Sequence, residues 1–550
     1  ALPDTLDQFK KEFIDEATHD VKNMNLFKRR ILGLTSYFRD MENLMPRYNE
    51  TVDFIVVKIP MSDFQFGIYE EARASERKTE SQNAKRQKKQ ISSGLFEESS
   101  STYRIFSRAF CNFVFPRPEI SRPLPDNVND IEAAILKEGN DEDAIDAVTK
   151  EERANKVDGT YDYDELAENN DDFGSYQERI DNALNKLQKG RDKYLTKDAL
   201  EKYSPKFLNM LENIQDDQLE GLHLLYTQFR TLEGIGIFKL VLESNGFVQF
   251  KIKNVTGTWK LDIEPEDMEK PKFALYTGTE TPEEKEILRN VFNGDWEFLP
   301  VQLAKQLESL SNNNMMGEII KLLMITASGA EGISLKNVRF VHITEPYWHP
   351  VRIQQVIGRA RRICSHQNLP KELQTVKVFL YLMEFTKEQV ENDEAVELRL
   401  KDKSRIDPKK VLTSDEALYE ISNMKKELTT KLLKSVKESA IDCVIHSGKD
   451  DPESLQCFTF GQVDSKNFAY VPNIEQEEKD SLAEQNKTTK LWRAKTWQGP
   501  DGIQYAVNPE NNKVYDLQSY KDGVPIQIGV IIERKEGNKS TFELEKIVEE

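Results

Sequence analysis

Three side chains in the middle of the chain carry the clearest chemistry. Gln355, Arg359 and Arg362 stand at i, i+4 and i+7, so a helix there gathers one amide and two guanidiniums on a single face. Arg361 falls on another face of the same helix. Upstream lies a Gly-bearing stretch, Ala327-Ser328-Gly329-Ala330-Glu331-Gly332-Ile333-Ser334-Leu335. Two guanidinium forks beside such a loop suit a polyphosphate better than a lone carboxylate. The bland alternative is a solvated arginine helix next to an ordinary turn, and the loop at this spacing counts against it.

Positioning these groups needs strand, loop, strand, loop and helix in that order between Met324 and Ile363. Val338, Phe340, Val341 and Ile343 form an apolar run that reads as a buried strand. Pro346 and Pro350 end it, and Pro350 suits the first turn of the helix that follows.

These residues resemble a family. Gln355-x-x-Gly358-Arg359-x-x-Arg362 is similar to motif VI of superfamily-two helicases, and the Ala327–Leu335 stretch to motif V. The segment ending Glu345-Pro346-Tyr347-Trp348-His349-Pro350 resembles the matching part of Snf-type translocases, although those usually carry an acidic residue where Gly358 stands. Leu222 to Tyr226 reads as a strand, and its exit Thr227-Gln228-Phe229-Arg230 resembles motif IV. The resemblance implies an α/β fold, the RecA-like helicase C-terminal lobe. In that fold Arg362 would be the arginine finger, Arg359 would reach the same phosphates, and Gln355 would set their geometry. Gly329, Glu331, Gly332 and Gly358 would be the cofactor-binding residues. Gln228, Arg230, Thr326 and Ser328 would line the nucleic-acid groove. ATP and Mg²⁺ are the implied cofactors, held mainly by another lobe. Within the family, the likeness is to helicase-like transcription ATPases of large nucleocytoplasmic DNA viruses, of the early transcription factor small subunit or nucleoside triphosphatase I type. It implies nucleic acid as partner, DNA ahead of RNA, together with an upstream ATPase lobe and a viral RNA polymerase or transcription factor subunit. Host cytoplasm or virion would then be its place, or nucleus and cytoplasm if it is not viral.

Composition sets bounds. The chain has 550 residues, 31% of them charged, with a net charge of −19, so any nucleic-acid contact comes from a local groove. No apolar run reaches membrane-span length and no signal peptide opens the chain, which argues against secretion. Cys111, Cys364, Cys443 and Cys457 are far apart, and the expectation is reduced thiols in a cytosol-like compartment. Cys443, His446 and Cys457 lack the fourth ligand of a structural metal site, so no metal is assigned.

Taken in order, residues 1–57 read as a helical lead-in from a missing first lobe, and 58–410 as the lobe itself. Two insertions interrupt it. One, about 75–95, is basic and reads as a solvated loop, with phosphate contact or a nuclear address as other uses. The other, about 117–175, is acidic from Asp126 onward. Ser101 to Pro116 reads as a buried aromatic helix, and Tyr176 to Tyr203 as one long charged helix. From Leu222 to Ile363 strands alternate with helices, the pattern of a parallel sheet. Residues 411–490 read as a helical tail and linker, and 491–550 as a small β-rich module with a hairpin at Tyr505–Tyr515.

The chain has neither a Gly-x-x-x-x-Gly-Lys-Ser/Thr loop nor an acidic pair after an apolar strand, which ATP hydrolysis requires. The leading expectation is therefore the C-terminal half of an ATP-dependent nucleic-acid helicase or translocase. It would be a hydrolase incomplete without the lobe that cradles ATP. The rival is a non-catalytic lone lobe acting as a scaffold in a transcription or packaging complex, which would leave two clustered guanidiniums without a purpose.

Overall fold

The computed structural model describes residues 2–15, 20–37, 44–87, 104–123, 175–278, 280–327, 332–392, 395–446, 455–458, 494–499, 502–509, 511–521, 526–536 and 539–546. The acidic stretch from Asp126 to Asp172 lies outside them. Two compact units form, Ala1–Cys457 and Phe458–Glu550.

The first unit is built on a seven-stranded sheet. Its strands are β3 (Phe54–Pro60), β4 (Leu222–Tyr226), β5 (Val248–Gln249), β8 (Lys272–Tyr276), β9 (Leu322–Ile325), β10 (Val338–Ile343) and β11 (Lys377–Glu384). Two small hairpins take the other numbers: β1 (Ile14–Asp15) with β2 (Asp20–Val21), and β6 (Ile252–Val255) with β7 (Thr258–Leu261). The spatial order is β3-β11-β10-β4-β9-β8-β5, with every neighbouring pair parallel. Central strands read as nearly continuous apolar runs because both faces are covered. Leu225, Met324, Phe340 and Tyr381 face the core that includes helix Ile235–Ser244. Leu224, Leu323, Val341 and Leu380 face the core that includes helix Pro350–Ala360. This is the period-two alternation of a pleated strand.

That division locates the functional edge. The helix after β4 packs on one face and the helix after β10 on the other, although the two strands are hydrogen-bonded neighbours. Their carboxyl ends therefore flank a topological switch point, where open parallel sheets bind ligands.

Several helices follow their sequence signals. Ser204 caps Pro205–Gln215 by accepting from the Phe207 N–H, with Pro205 in the first turn. Thr281 and Glu284 form a capping box on Pro282–Asn293. Two expectations need correction. Tyr176–Tyr203 is three helices, Tyr176–Lys189, Arg191–Tyr194 and Lys197–Tyr203. The first break is at Gly190, where an added Cβ would stand 2.7 Å from the Tyr194 ring, and Thr196 caps the third helix. The basic stretch from Ser75 is helix rather than loop as far as Gln87, since helix Asp63–Gln87 runs 25 residues. Tyr69, Arg73, Glu76 and Arg77 are buried along one side of it.

Those buried charges form one network. Asp402 accepts from Arg73 Nη2 at 2.8 Å, Arg77 Nε at 2.8 Å and Arg104 Nη2 at 3.0 Å. Burial alone would raise the Asp402 carboxyl, but Arg104, Arg73 and Arg77 outweigh it and hold it below its ordinary value. Glu76 accepts from the Phe106 and Ser107 backbone N–H groups at 3.0 and 3.1 Å, and so fastens the N-terminus of helix Ile105–Asn112.

The cysteines depart from expectation too. Cys443 and Cys457 form a disulfide, while Cys111 and Cys364 are free thiols. The bond joins residues 14 positions apart in sequence, with their Cα atoms 5.7 Å apart. This withdraws both sulfurs from the metal set with His446, and no cluster of metal-ligating side chains forms among the described residues. Among those residues no helix is long and apolar enough to cross a membrane.

The second unit is a five-stranded antiparallel meander, β12 (Lys495–Gln498), β13 (Gln504–Val507), β14 (Lys513–Asp516), β15 (Gln527–Glu536) and β16 (Lys539–Lys546). The expected hairpin is β13–β14, with Val507 opposite Val514. Its small core is Tyr505, Val507 and Val514.

Candidate functional site

Helix Pro350–Ala360 starts at Pro350 and buries Ile353, Val356, Ile357 and Ala360 against the sheet. That packing leaves Gln355, Arg359 and Arg362 half-buried at the edge. Arg362 Nη1 donates to the Ser334 hydroxyl, and Arg359 Nη1 reaches the Ile333 carbonyl at 3.5 Å. The helix stops at Ala360 with Arg361 as its C-cap, so Arg362 lies just past the helix rather than on its expected face, and from there it meets the end of the Gly-bearing loop. Arg361 points away and stacks on Tyr48, its guanidinium carbon 4.5 Å from the ring centroid. Gly332 has φ +76°, in the left-handed region that favours glycine, at the bend that aims Ile333 and Ser334 at the arginines. Ser328, Gly329 and Glu331 lie outside the described residues. Gly358 is half-buried, and nothing lies within 4 Å of where its Cβ would be.

Asn293 holds the same loop from the other side. Its amide donates to the Ser334 carbonyl at 3.1 Å and accepts from the Lys336 N–H at 2.9 Å. In the sequence Asn293 drew no notice, and Ser334 stood only as a member of the Gly-bearing stretch, with no role of its own. An Asn closing the helix just before Gly294 was the available signal for Asn293.

At the switch point the strand exits are tied together by Glu345, which is fully buried. Its carboxylate accepts from Thr227 Oγ1 at 3.0 Å, from the Gln228 N–H, and from Asn112 Nδ2 at 3.1 Å. Burial raises the Glu345 carboxyl above its ordinary value, against the Gln228 N–H, Lys206, Asn112 and Arg108. Gln228 spends both ends of its amide inside the protein: Oε1 accepts from Arg108 Nη2 at 2.5 Å, and Nε2 donates to the Pro346 carbonyl at 3.3 Å. Arg230 is half-buried on the same turn, while Thr326 is fully buried just past β9. Gln228 and Arg230 thus share a turn at the functional edge, and Thr326 is in the core beneath it.

Next to the arginine helix, Trp348 receives the Lys425 ammonium 4.3 Å from its ring centroid. Burial, with Arg405 and Lys10 nearby, lowers Lys425 to about 8. Helix Ser414–Glu438, which carries Lys425, is thereby joined to the loop that launches the site helix.

The geometry fits what comparison finds. The helicase conserved C-terminal domain matches residues 273–364, spanning β8 to the two arginines. The matched residues form part of the parallel α/β sheet of the first unit. The chain is similar to several viral proteins. The chain is 26% identical, over 92% of its length, to a putative ATP-dependent RNA helicase of Acanthamoeba polyphaga mimivirus, and covers 58% of that protein. It is 26% identical, over 69% of its length, to the termination factor NPH-I homolog of an African swine fever virus isolate, covering 46% of it. The chain thus spans about half the length of these curated relatives. Among solved structures, the C-terminal part of the Fun30 ATPase domain aligns with 70% of this chain and 99% of its own, at 15% identity and a TM-score of 0.32.

Proposed function

We propose that this chain is the arginine-bearing half of an ATP-driven nucleic-acid translocase or helicase that serves viral transcription. It works against a separate lobe that cradles ATP and Mg²⁺. The observation that carries this is the convergence of Arg359 and Arg362 on Ile333 and Ser334 at one edge of the sheet. Two half-exposed guanidiniums, Arg359 on the helix and Arg362 just past its C-cap, can neutralise phosphate oxygens across a cleft, with Arg362 the choice for the finger. Bound ATP supplies the phosphoanhydride whose cleavage drives the lobes between closed and open states. Gly332 and Ser334 link the arginine site to the loop that follows β9. The turn at Gln228–Arg230 presents the strand-facing side, where Arg230 contacts a phosphate. The names of the viral relatives support ATP use and a link to transcription, and include RNA helicases.

The test is ATP hydrolysis by this chain, alone and with a separately expressed ATP-binding lobe from the same gene or virus, with single-stranded DNA, single-stranded RNA or duplex added. Turnover only when both parts and a nucleic acid are present is the expected result. A silent pair, with this chain still binding a protein partner tightly, would establish the scaffold reading instead.

A further inference from the structure

Helix Ile105–Asn112 belongs to none of the strand–helix repeats of the sheet, yet all eight of its residues are buried. Two of its polar side chains, Arg108 and Asn112, reach one turn. Arg108 Nη2 donates to Gln228 Oε1 at 2.5 Å, and its guanidinium carbon stands 5.8 Å from the centre of the Phe229 ring. Asn112 Nδ2 donates to the Glu233 carbonyl at 3.0 Å and to Glu345 Oε2 at 3.1 Å. Its Oδ1 accepts from Lys206 Nζ at 2.9 Å, so the amide is held from both sides. Ten residues on, Arg122 grips the Glu233 carboxylate with a fork, at 2.5 and 3.0 Å. One short segment thus holds the turn after β4 at both ends. The turn has backbone bonds of its own, from the Ile235 and Gly236 N–H groups to the Phe229 and Arg230 carbonyls, and the segment's side chains add a second hold on Gln228 and Glu233 from outside it.

We propose that Arg108 and Asn112 are positioning residues for nucleic-acid binding: they set the Gln228–Glu233 turn so that Arg230 meets the phosphate backbone of the strand. The proposal rests on the translocase reading. Gln228 then acts through its place in this brace, because both ends of its amide are already engaged. Charge pairs and hydrogen bonds buried this deeply fix geometry far better than surface contacts. A conservative change that keeps charge or size but loses the geometry will therefore loosen the turn.

The experiment compares the whole chain with its Arg108→Lys, Asn112→Ser and Arg230→Ala variants. Binding of a fluorescein-labelled single-stranded oligonucleotide, DNA and RNA in parallel, is measured between 50 and about 200 mM salt, a range over which phosphate contacts show themselves. Hydrogen exchange is followed on peptides covering β4 through Glu233. Arg108→Lys and Asn112→Ser should exchange faster at Gln228–Glu233, leave the Pro350–Ala360 helix unchanged, and weaken binding about tenfold. Their salt slope should stay that of the parent because the phosphates contacted are the same, whereas Arg230→Ala should lower it by about one contact. Unchanged exchange at the turn in both variants overturns the positioning role, whatever the affinities. Faster exchange with unaltered affinity confines the brace to structure and overturns it equally. If the parent chain binds neither DNA nor RNA, the translocase reading falls, and the positioning role falls with it.

Discussion

Asp402 shows what one residue does in this lobe. Its side chain is wholly inaccessible and lies against Arg73, Arg77 and Arg104, which are themselves 1%, 2% and 9% accessible. Such a pairing is not proof of net stabilisation, but removing one partner leaves buried charge uncompensated. Asp402→Asn keeps the shape but removes the charge shared by three guanidiniums, leaving Arg73 with Glu76 and Arg77 with Glu70, so it should cost about 3 kcal/mol. A shift in the urea midpoint of that size checks it, and an unchanged midpoint contradicts it. Gly358 makes the opposite case. Its site has room for a methyl group, and glycine inside a helix costs roughly 0.5–1 kcal/mol relative to alanine. Gly358→Ala should therefore raise the melting temperature. At this scale the sequence was readable where spacing alone brings groups together, as with Arg359 and Arg362. It was not readable where a partner comes from far along the chain: Asn112 meets Glu345 across 233 positions. Arg104, Arg108 and Asn112 do recur every four residues on an otherwise aromatic segment. That buried polar stripe was the signal available.

Among the elements, the turn from β4 into helix Ile235–Ser244 is the most demanding. The Ile235 and Gly236 N–H groups donate to the Phe229 and Arg230 carbonyls at 3.0 and 2.9 Å. Side chains at the two glycines would collide with backbone: a Cβ on Gly234 would stand 1.7 Å from the Phe229 oxygen, and one on Gly236 1.6 Å from the Thr231 oxygen. Gly236→Ala should force this turn to rebuild and weaken oligonucleotide binding at least about tenfold, the loss expected when a contact surface is misplaced. Unaltered binding would show that the turn does not face the strand. Strands and most helices were legible because period and caps are local. The reach of helix Asp63–Gln87 was not, because its polar, basic second half carries no apolar period and so resembles a loop.

At the scale of the whole molecule, the sheet hides a titratable chain. His223 Nε2 faces the Leu219 carbonyl at 3.1 Å, which can only accept, so that nitrogen carries the proton. His223 Nδ1 then accepts from His342 Nε2 at 2.9 Å, and His342 Nδ1 accepts from Tyr381 at 2.8 Å. Burial lowers His223 well below its ordinary value, His342 to about 3 and His366 to about 4. The unfolded chain therefore binds these protons first as pH falls. Stability is full above about pH 6.5 and is lost below it, at about 1.4 kcal/mol per pH unit for each histidine. The raised Glu345 carboxyl works in the opposite sense, since the fold takes up that proton first, and offsets part of the loss. Urea midpoints should fall steeply from pH 6.5 to 4.5, less so in His342→Gln, and a flat profile would contradict the buried neutral chain.

The central claim is that Arg362 serves ATP turnover across a cleft. The most direct measurement is the turnover number of the reconstituted lobe pair carrying Arg362→Ala, at saturating nucleic acid and ATP. A fall of about 10³-fold or more, with oligonucleotide affinity intact, is the predicted result for a finger arginine. Turnover within a few-fold of the parent would contradict the account.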